Sequence, residues 1–431
     1  MNNLYKYFFF LLFFQFGVPV YSIAAEDESR SEENQVVASD GTELSFARYR
    51  ANGEHLIIWI APGYGIHERS IQVAQQLAAK GVEIWQIDLA ETLFLPHSTE
   101  QMRAFTGKYI ADLIQAAYKQ TGKKILLSAR SYGAIPLLRG VRTWQTRKPE
   151  KVYVTGAVLF SPDLYTTVPS LGVDPEYLPI ASATNIPITI FQDGSRGNRW
   201  YVNHLIDTLQ SGGSQTTLKI LPGVSALFFN EDDAPETVQA IENLPDDIIS
   251  SIQLMDQIPK PKAAAPMQKK FKSVGSGIDN RLKPFKGNFL PHPINLKDAA
   301  GKPYTRDNYR GQITVVNFWA SWCPPCVTEI PSLNRLRDQM QDTPFELISV
   351  NYAESPATIV EFLKKVDVQF PVLLDESGKV SVSWKVIAFP STFIIGADGK
   401  IHYGVNAAIH WDSPEVIKTM KNIYKKTAGN Q

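Results

Sequence analysis

The sequence predicts an α/β protein built as two units, a doubly wound sheet of parallel strands followed by a mixed sheet with flanking helices. Three observations carry that prediction. From about Gln35 to Asp256, apolar runs of strand length alternate with segments of helical spacing, the pattern of strands returned to one sheet by helices. From Pro259 the composition changes to Pro-Lys-Pro-Lys-Ala-Ala-Ala-Pro and then to Lys- and Gly-rich sequence, which cannot bury enough apolar surface to form a core. From about Lys286 a second series of strand-like and helix-like runs begins, and it contains Cys323 and Cys326, the only cysteines of the chain. With 431 residues, 44% hydrophobic and 20% charged, the chain is globular and long enough for two or three domains. Lys+Arg and Asp+Glu number 43 each, so the charge balance gives no reason to expect nucleic acid or another polyanion.

At the amino terminus, Lys6 supplies one early positive charge, Tyr7 to about Val20 is apolar and uncharged, and Ser22-Ile-Ala-Ala25 precedes the acidic Glu26-Asp-Glu28. This is the three-part pattern of a secretory signal over residues 1–25. The alternative, an uncleaved N-terminal membrane anchor, meets an apolar run that is short for a span. No cysteine follows the run, so a lipid anchor on cysteine is not expected. The mature chain is expected to be soluble, without a transmembrane span, and to reside in the periplasm or another extracytoplasmic compartment.

The first unit, residues 26–258, opens with His55-Leu-Ile-Ile-Trp-Ile60 as a short buried strand, a helix from Ser70 to Lys80 that stops at Gly81, and Val82 to Asp88 as the next strand. Ser98-Thr-Glu-Gln101 reads as a capping box opening one long helix to about Thr121-Gly122. Lys124–Ser128, Val152–Phe160, Ile186–Phe191 and Thr217–Leu221 complete the strands. In such a sheet, ligands bind at the carboxyl ends of the strands.

The sharpest motif of this unit lies at such an end. Ala129-Arg-Ser-Tyr-Gly133 stands between a strand and a helix and approximates the G-x-S-x-G elbow that exposes a nucleophilic serine. On these residues the unit resembles an α/β-hydrolase. The resemblance implies Ser131 as nucleophile, with Ala61-Pro-Gly-Tyr-Gly65, hence Gly63 and Tyr64, as the oxyanion loop and Tyr132 as the second backbone donor. The rest of the machinery departs from the pattern. The histidine base should fall near Ser225 or Ala226; Asp193 is available as the acid, but Arg196, Gly197 and Asn198 fill the usual downstream slots. Serine without a base is a poor nucleophile, and His67, His97 and His204 read more simply as ordinary surface or capping residues. The unit is therefore expected to be a degenerate hydrolase scaffold that binds a partner, docks the second unit or holds a small ligand. The alternative is an active serine hydrolase using Ser131.

Residues 259–285 form the linker. Between Lys260 and Lys286 there are seven Lys and one Arg against Asp279 alone. A solvated, semi-extended tether is the simpler reading, and contact with an anionic lipid or an acidic partner is the alternative.

In the second unit, residues 286–431, the run Val315-Val-Asn-Phe-Trp319 ends on Trp322-Cys-Pro-Pro-Cys326, which opens a helix. A thiol at that point meets backbone N–H groups and the positive end of the helix dipole, which favour the thiolate and make Cys323 the attacking sulfur. Cys326, one turn on, resolves. A purely structural disulfide is disfavoured, because closing about 4 residues contributes only about 2 kcal/mol against about 4 to 5 for loops of around a hundred. Structural zinc normally takes four ligands, and no second Cys pair exists, so no metal site is expected.

Around this motif stand Asn288-Phe-Leu-Pro-His-Pro-Ile-Asn-Leu-Lys-Asp298, Gly301-Lys-Pro303, Tyr309-Arg-Gly311, Phe370-Pro-Val-Leu-Leu-Asp375, Phe389-Pro-Ser-Thr-Phe-Ile-Ile395 and Asp398-Gly-Lys400. Together these residues resemble the exported thiol-disulfide reductases of the TlpA/ResA type from about Lys286 to Ala428. That resemblance implies a thioredoxin fold and no cofactor beyond the redox-active Cys323–Cys326 pair. It makes Pro390 a cis-proline that lets Phe389 present its backbone to a substrate, and Glu329 the acidic residue that helps proton transfer. Asn317 stands where cytoplasmic thioredoxins carry a buried Asp, and Ala388 where a Gly is common. Trp322, Pro324, Pro325 and Phe389 are expected to line the substrate groove, whereas Trp319 is expected in the core. Further strands are expected at Phe345–Val350 and Val372–Leu374, a helix from Pro356 to Val366, a hairpin of Ser391–Ile395 with Ile401–Val405, and a last helix from Ser413, its N-cap, to about Lys426.

The expected partners are the disulfides of client proteins, in this family apocytochrome c or copper-site proteins. The family also implies a membrane thiol transporter of the DsbD/CcdA kind as electron donor, because an exported reductase works in an oxidising compartment.

Overall fold

The computed structural model describes residues 31–169, 171, 173–228, 234–267 and 281–429. The expected leader over residues 1–25 and residues 268–280 of the linker lie outside the described residues.

The first sheet has eight strands: β1 (Glu32–Val37), β2 (Glu43–Tyr49), β3 (His55–Ile60), β4 (Glu83–Ile87), β5 (Lys124–Arg130), β6 (Val154–Phe160), β7 (Ile188–Asp193) and β8 (Thr216–Leu221), in the spatial order β1-β2-β4-β3-β5-β6-β7-β8. β3 through β8 form the expected parallel part. β1 and β2 are antiparallel additions at the edge. A search for continuous apolar runs passes over them, because β2 alternates buried and open positions as an edge strand does. The connecting helices are α1 (Glu68–Ala79), α2 (Leu89–Thr92), α3 (Thr99–Ala104), α4 (Lys108–Thr121), α5 (Ala134–Arg147), α6 (Pro179–Ser182), α7 (Val202–Ser211) and α8 (Pro235–Asp256). α4, α5 and α7 bury their apolar stripes on one face of the sheet and α1 and α8 on the other.

One helix differs from its expectation. Ser98 does cap, its hydroxyl accepting from Gln101 N at 3.0 Å, but the long helix is broken into α3 and α4. Gly107 sits at φ +90°, where any other residue is strained, and a Cβ there would overlap the backbone of Arg139. Arg139 in turn donates to the carbonyls of Arg103 (2.6 Å) and Phe105 (2.7 Å), closing α3 with side-chain partners.

The start of the linker is not a free tether. Lys262 O accepts from Glu150 N at 3.0 Å, Ala263 O from Asn185 Nδ2 at 2.8 Å, and Ala265 O from Arg142. This stretch therefore lies along the first domain.

The second sheet comprises β9 (Lys283–Pro284), β10 (Ile294–Asp298), β11 (Pro303–Arg306), β12 (Ile313–Trp319), β13 (Phe345–Tyr352), β14 (Val372–Asp375), β15 (Ser391–Ile395) and β16 (Ile401–Val405), in the order β11-β10-β14-β13-β12-β15-β16-β9. β12, β13 and β14 are parallel, and the remaining pairs antiparallel. β9 begins inside the segment assigned to the linker. The helices are α9 (Pro324–Gln339), α10 (Pro356–Leu363), α11 (Lys379–Ser383) and α12 (Pro414–Thr427). Ser413 occupies the N-cap position of α12 without a side-chain cap bond.

The two domains are in direct contact. Leu171 of the first is buried in the apolar core around Val316, Phe318 and Phe393 of the second. Tyr352, at the end of β13, donates to the carbonyls of Ser195 (3.2 Å) and Ser225 (3.1 Å). Among the described residues no helix is long and apolar enough to cross a membrane.

Candidate functional site

β12 is buried along its whole length, as a central parallel strand should be, and it delivers the chain to the mouth of α9. Trp319 Nε1 donates to Ser349 Oγ at 2.7 Å, which makes Trp319 a core residue. Pro324 and Pro325 open α9, where a missing N–H costs nothing. Cys323 is the N-cap, and its Sγ accepts from Cys326 N at 3.3 Å. The two sulfurs form a disulfide across Cα atoms 5.3 Å apart. Cys323 is 5% exposed and Cys326 1%, so the first cysteine is the more accessible of the two.

The Phe389–Pro390 peptide is cis. Phe389 and Trp322, both half-buried, pack onto the cluster that holds Cys323 and Cys326, with ring centroids 5.9 Å apart and planes nearly perpendicular. Pro324 and Pro325 are exposed beside them. Ser391 fixes the loop from behind, its hydroxyl 2.6 Å from Ala388 O.

Glu329 lies one turn beyond Cys326 and is 3% exposed. Asn317 Nδ2 donates to its Oε1 at 2.9 Å, and Trp411 Nε1 to its Oε2 at 2.9 Å. Asn317 also donates to Thr392 Oγ1 at 2.9 Å, so the amide ties the carboxyl to the strand that follows Pro390. Burial pushes the Glu329 carboxyl up to about 7, against the hydrogen bonds from Trp411, Asn317 and the Ile409 backbone that favour its charged form. A carboxyl with that value gains and loses a proton near neutrality.

Two residues of this site were missed in the sequence. Glu354, 2% exposed, accepts from Ser321 N at 2.7 Å, from the Ser321 hydroxyl, and from Asn351 Nδ2 at 2.6 Å. It thereby anchors the loop that carries Trp322 and Cys323. The signal in the sequence is no more than an acid just past the strand that runs beside β12. Trp411, 94 residues past the central strand's Asn317, carries no local signal at all.

In the first domain the serine elbow is present. β5 ends at Arg130, Ser131 stands at φ +51°, and a short 3-10 turn over Ser131–Gly133 leads into α5. That φ is costly for a residue with a side chain, on the order of 1 to 3 kcal/mol, and recurs at functional sites. Tyr64 of the expected loop stands beside the hydroxyl, and with it Asp163, which the sequence did not single out. Ser131 Oγ donates to Asp163 Oδ2 at 2.7 Å and lies 3.2 Å from the Tyr64 hydroxyl. Among the described residues no histidine reaches it. Asp163, on the loop after β6, is held further by Arg196 Nη2 at 2.8 Å and Asn198 Nδ2 at 3.1 Å. Asp193 is buried and faces Arg130 Nη2 at 3.5 Å, so the carboxyl on the serine is Asp163.

His97 pairs with Asp88 at 2.8 Å, and His204 packs on the Tyr177 ring. Gly63 allows its loop to run against Ser98, whose carbonyl a Cβ would meet at 2.7 Å. Tyr132 is half-buried beside Ser131. Ser131 itself is 1% exposed. Among the described residues, this buried serine, bonded to a carboxylate that is already paired, meets no histidine base of the kind that activates a serine nucleophile.

Residues 287–404 match the AhpC/TSA family. Over 106 residues the chain is 33% identical to the thiol-disulfide oxidoreductase ResA of Bacillus thuringiensis subsp. konkukian, covering 25% of this chain and 61% of that protein. Over 115 residues it is 30% identical to the sporulation thiol-disulfide oxidoreductase A of Bacillus subtilis, covering 26% of this chain and 69% of the relative. The crystal structure of StoA from Bacillus subtilis aligns with 27% identity over 31% of this chain and 97% of that one, with a TM-score of 0.26. The chain spans about three fifths of the length of the first curated relatives it matches. The mixed sheet of the second domain, with its helices, is a thioredoxin-like fold.

Proposed function

Through its C-terminal domain the chain belongs to the thiol-disulfide oxidoreductases, and on that premise we propose that it is an exported reductase of disulfides in client proteins. The observation that carries this reading is the Cys323–Cys326 disulfide at the mouth of α9, with the more accessible sulfur beneath Trp322 and Phe389. In the reduced chain the Cys323 thiolate attacks one sulfur of a client disulfide. A mixed disulfide forms and one client thiolate leaves. The Cys326 thiolate then attacks Cys323 Sγ, the second client thiolate leaves, and the chain is left with the disulfide seen here. Two electrons pass to the client, and an external dithiol restores the pair by the reverse exchange. Glu329 supplies and accepts the proton that the inner cysteine needs. Phe389 and Pro390 receive the client backbone, and no further cofactor takes part.

The sequence pattern of residues 1–25 supports export, and a membrane thiol transporter of the DsbD/CcdA kind is the donor that such a location requires. Apocytochrome c and copper-site proteins are the client classes that the reading includes. The first domain serves as a docking module, and the contacts of Ser131 speak against turnover of esters or peptides by that domain. Reduction of insulin by dithiothreitol, catalysed by the full chain and lost in Cys323→Ser, is the expected result; full activity of that variant would sink the assignment.

A further inference from the structure

Both flanks of the Phe389–Pro390 peptide are tied to the first domain. Upstream, the backbone of Gly197 approaches Val386 and Ile387 so closely that a Cβ on Gly197 would overlap the Val386 carbonyl oxygen. Trp200 Nε1 donates to Val382 O at 2.7 Å, and the Lys385 ammonium lies 5.6 Å from the Trp200 ring centroid. Downstream, the Ser391 hydroxyl lies 2.9 Å from Asn406 Oδ1, and Asn406 Nδ2 donates to Pro169 O at 2.5 Å. Beneath the loop, Tyr352 carries both links at once: its ring centroid is 4.8 Å from that of Phe389, and its hydroxyl bonds Ser195 O.

We propose that the first domain positions the client-receiving loop of the second, the segment Ser195 to Trp200 setting how a protein disulfide is held at Phe389 and Pro390. The proposal rests on the reductase reading given above. A small disulfide needs only its sulfur in line with Cys323, whereas a protein client must also lay its backbone along the loop. Displacement of the loop by a fraction of an ångström therefore falls on protein clients, since misplacement of reacting partners by about 1 Å costs on the order of 10²-fold. Gly197, Trp200 and Ser195 are positioning residues in this sense: none of them touches the sulfurs.

The test uses the full chain, reduced beforehand and freed of reductant, and follows single-turnover oxidation of the Cys323–Cys326 pair by insulin and by hydroxyethyl disulfide. Gly197→Ala is expected to lower the second-order rate constant with insulin about tenfold or more and to leave the rate with hydroxyethyl disulfide within about twofold. Gly212→Ala is the control. Its Cβ crowds the Thr184 and Ser182 carbonyls inside the first domain, away from the second, and both rates should stay near wild type. Trp200→Phe removes the bond to Val382 from a side chain that is 53% exposed, so folding is retained, and the insulin rate should again fall alone. An unchanged ratio of the two rates in Gly197→Ala, or in Trp200→Phe where Gly197→Ala does not fold, overturns the proposal. So does a loss in Gly212→Ala equal to that in Gly197→Ala. If the wild-type chain reacts with neither disulfide, it is the reductase reading that fails.

Discussion

The Tyr352 hydroxyl of the second domain lies 3.1 Å from the Ser225 carbonyl of the first, at the place where an α/β-hydrolase resemblance would seat a histidine base. The same hydroxyl lies 3.2 Å from Ser195 O, and the side chain is buried. The redox domain thus fills the space between the two loops that would carry an acid and a base. Tyr352→Phe leaves two carbonyls without this donor, a loss worth about 1 to 3 kcal/mol. Urea unfolding of the full chain should show a lower midpoint that corresponds to this loss of free energy, with domain transitions separating; an unchanged curve would mean that the contact contributes nothing to docking.

Ser131 should not react with a fluorophosphonate. Its hydroxyl is buried against Asp163, and no histidine among the described residues reaches it. Ser131→Ala removes a donor from a buried carboxylate that keeps Arg196 and Asn198, so a stability loss of about 1 kcal/mol is expected. Labelling of the folded wild-type chain that disappears in Ser131→Ala would establish a hydrolase after all.

Cys326→Ser should accumulate the mixed disulfide, because the resolving thiol is the one that frees Cys323. Incubated with an oxidised client, the variant is expected to give one adduct, cleaved by dithiothreitol, as read by mass spectrometry. Cys323→Ser should give none, since Cys326 is 1% exposed. Equal adduct formation by the two variants would reverse the assignment of attacking and resolving sulfur.

What could be read from the sequence divides by range. The CxxC turn, the serine elbow, the hairpin of β15 and β16 and the buried parallel strands are local patterns of period, turn chemistry and spacing, and each lies where those patterns put it. The break at Gly107 depends on Arg139, the carboxyl on Ser131 comes from the next strand's loop, and Trp411 reaches Glu329 across 82 residues. None of these has a local signature. The docking of Tyr352 on Ser195 and Ser225 belongs to the same class, because it pairs a side chain with backbone carbonyls of another domain. β1 and β2 were missed for a different reason: one-sided edge strands alternate, and the buried runs beside them dominate the pattern.

Glu329 gives the chain a pH dependence whose sign follows from its position. Burial holds the carboxyl at about 7 in the fold against 4.5 when free, so the folded chain keeps a proton that the unfolded chain has already lost. The favourable contribution is complete below pH 4.5 and is lost as pH rises to about 7, a change of about 3 kcal/mol. Glu329→Gln has no such proton, so its unfolding free energy should be flatter than wild type across that window. The hydrogen-bond partners of Glu329 are Asn317, Trp411 and the Ile409 backbone, none of which titrates there. In the reduced chain, the rate of disulfide exchange should also carry an inflection near pH 7 that the Gln variant lacks. Measured together, urea midpoints and single-turnover rates from pH 4.5 to 8 separate the two effects. A flattened stability profile with an unaltered rate profile would make Glu329 a buried structural acid rather than a proton carrier for Cys326.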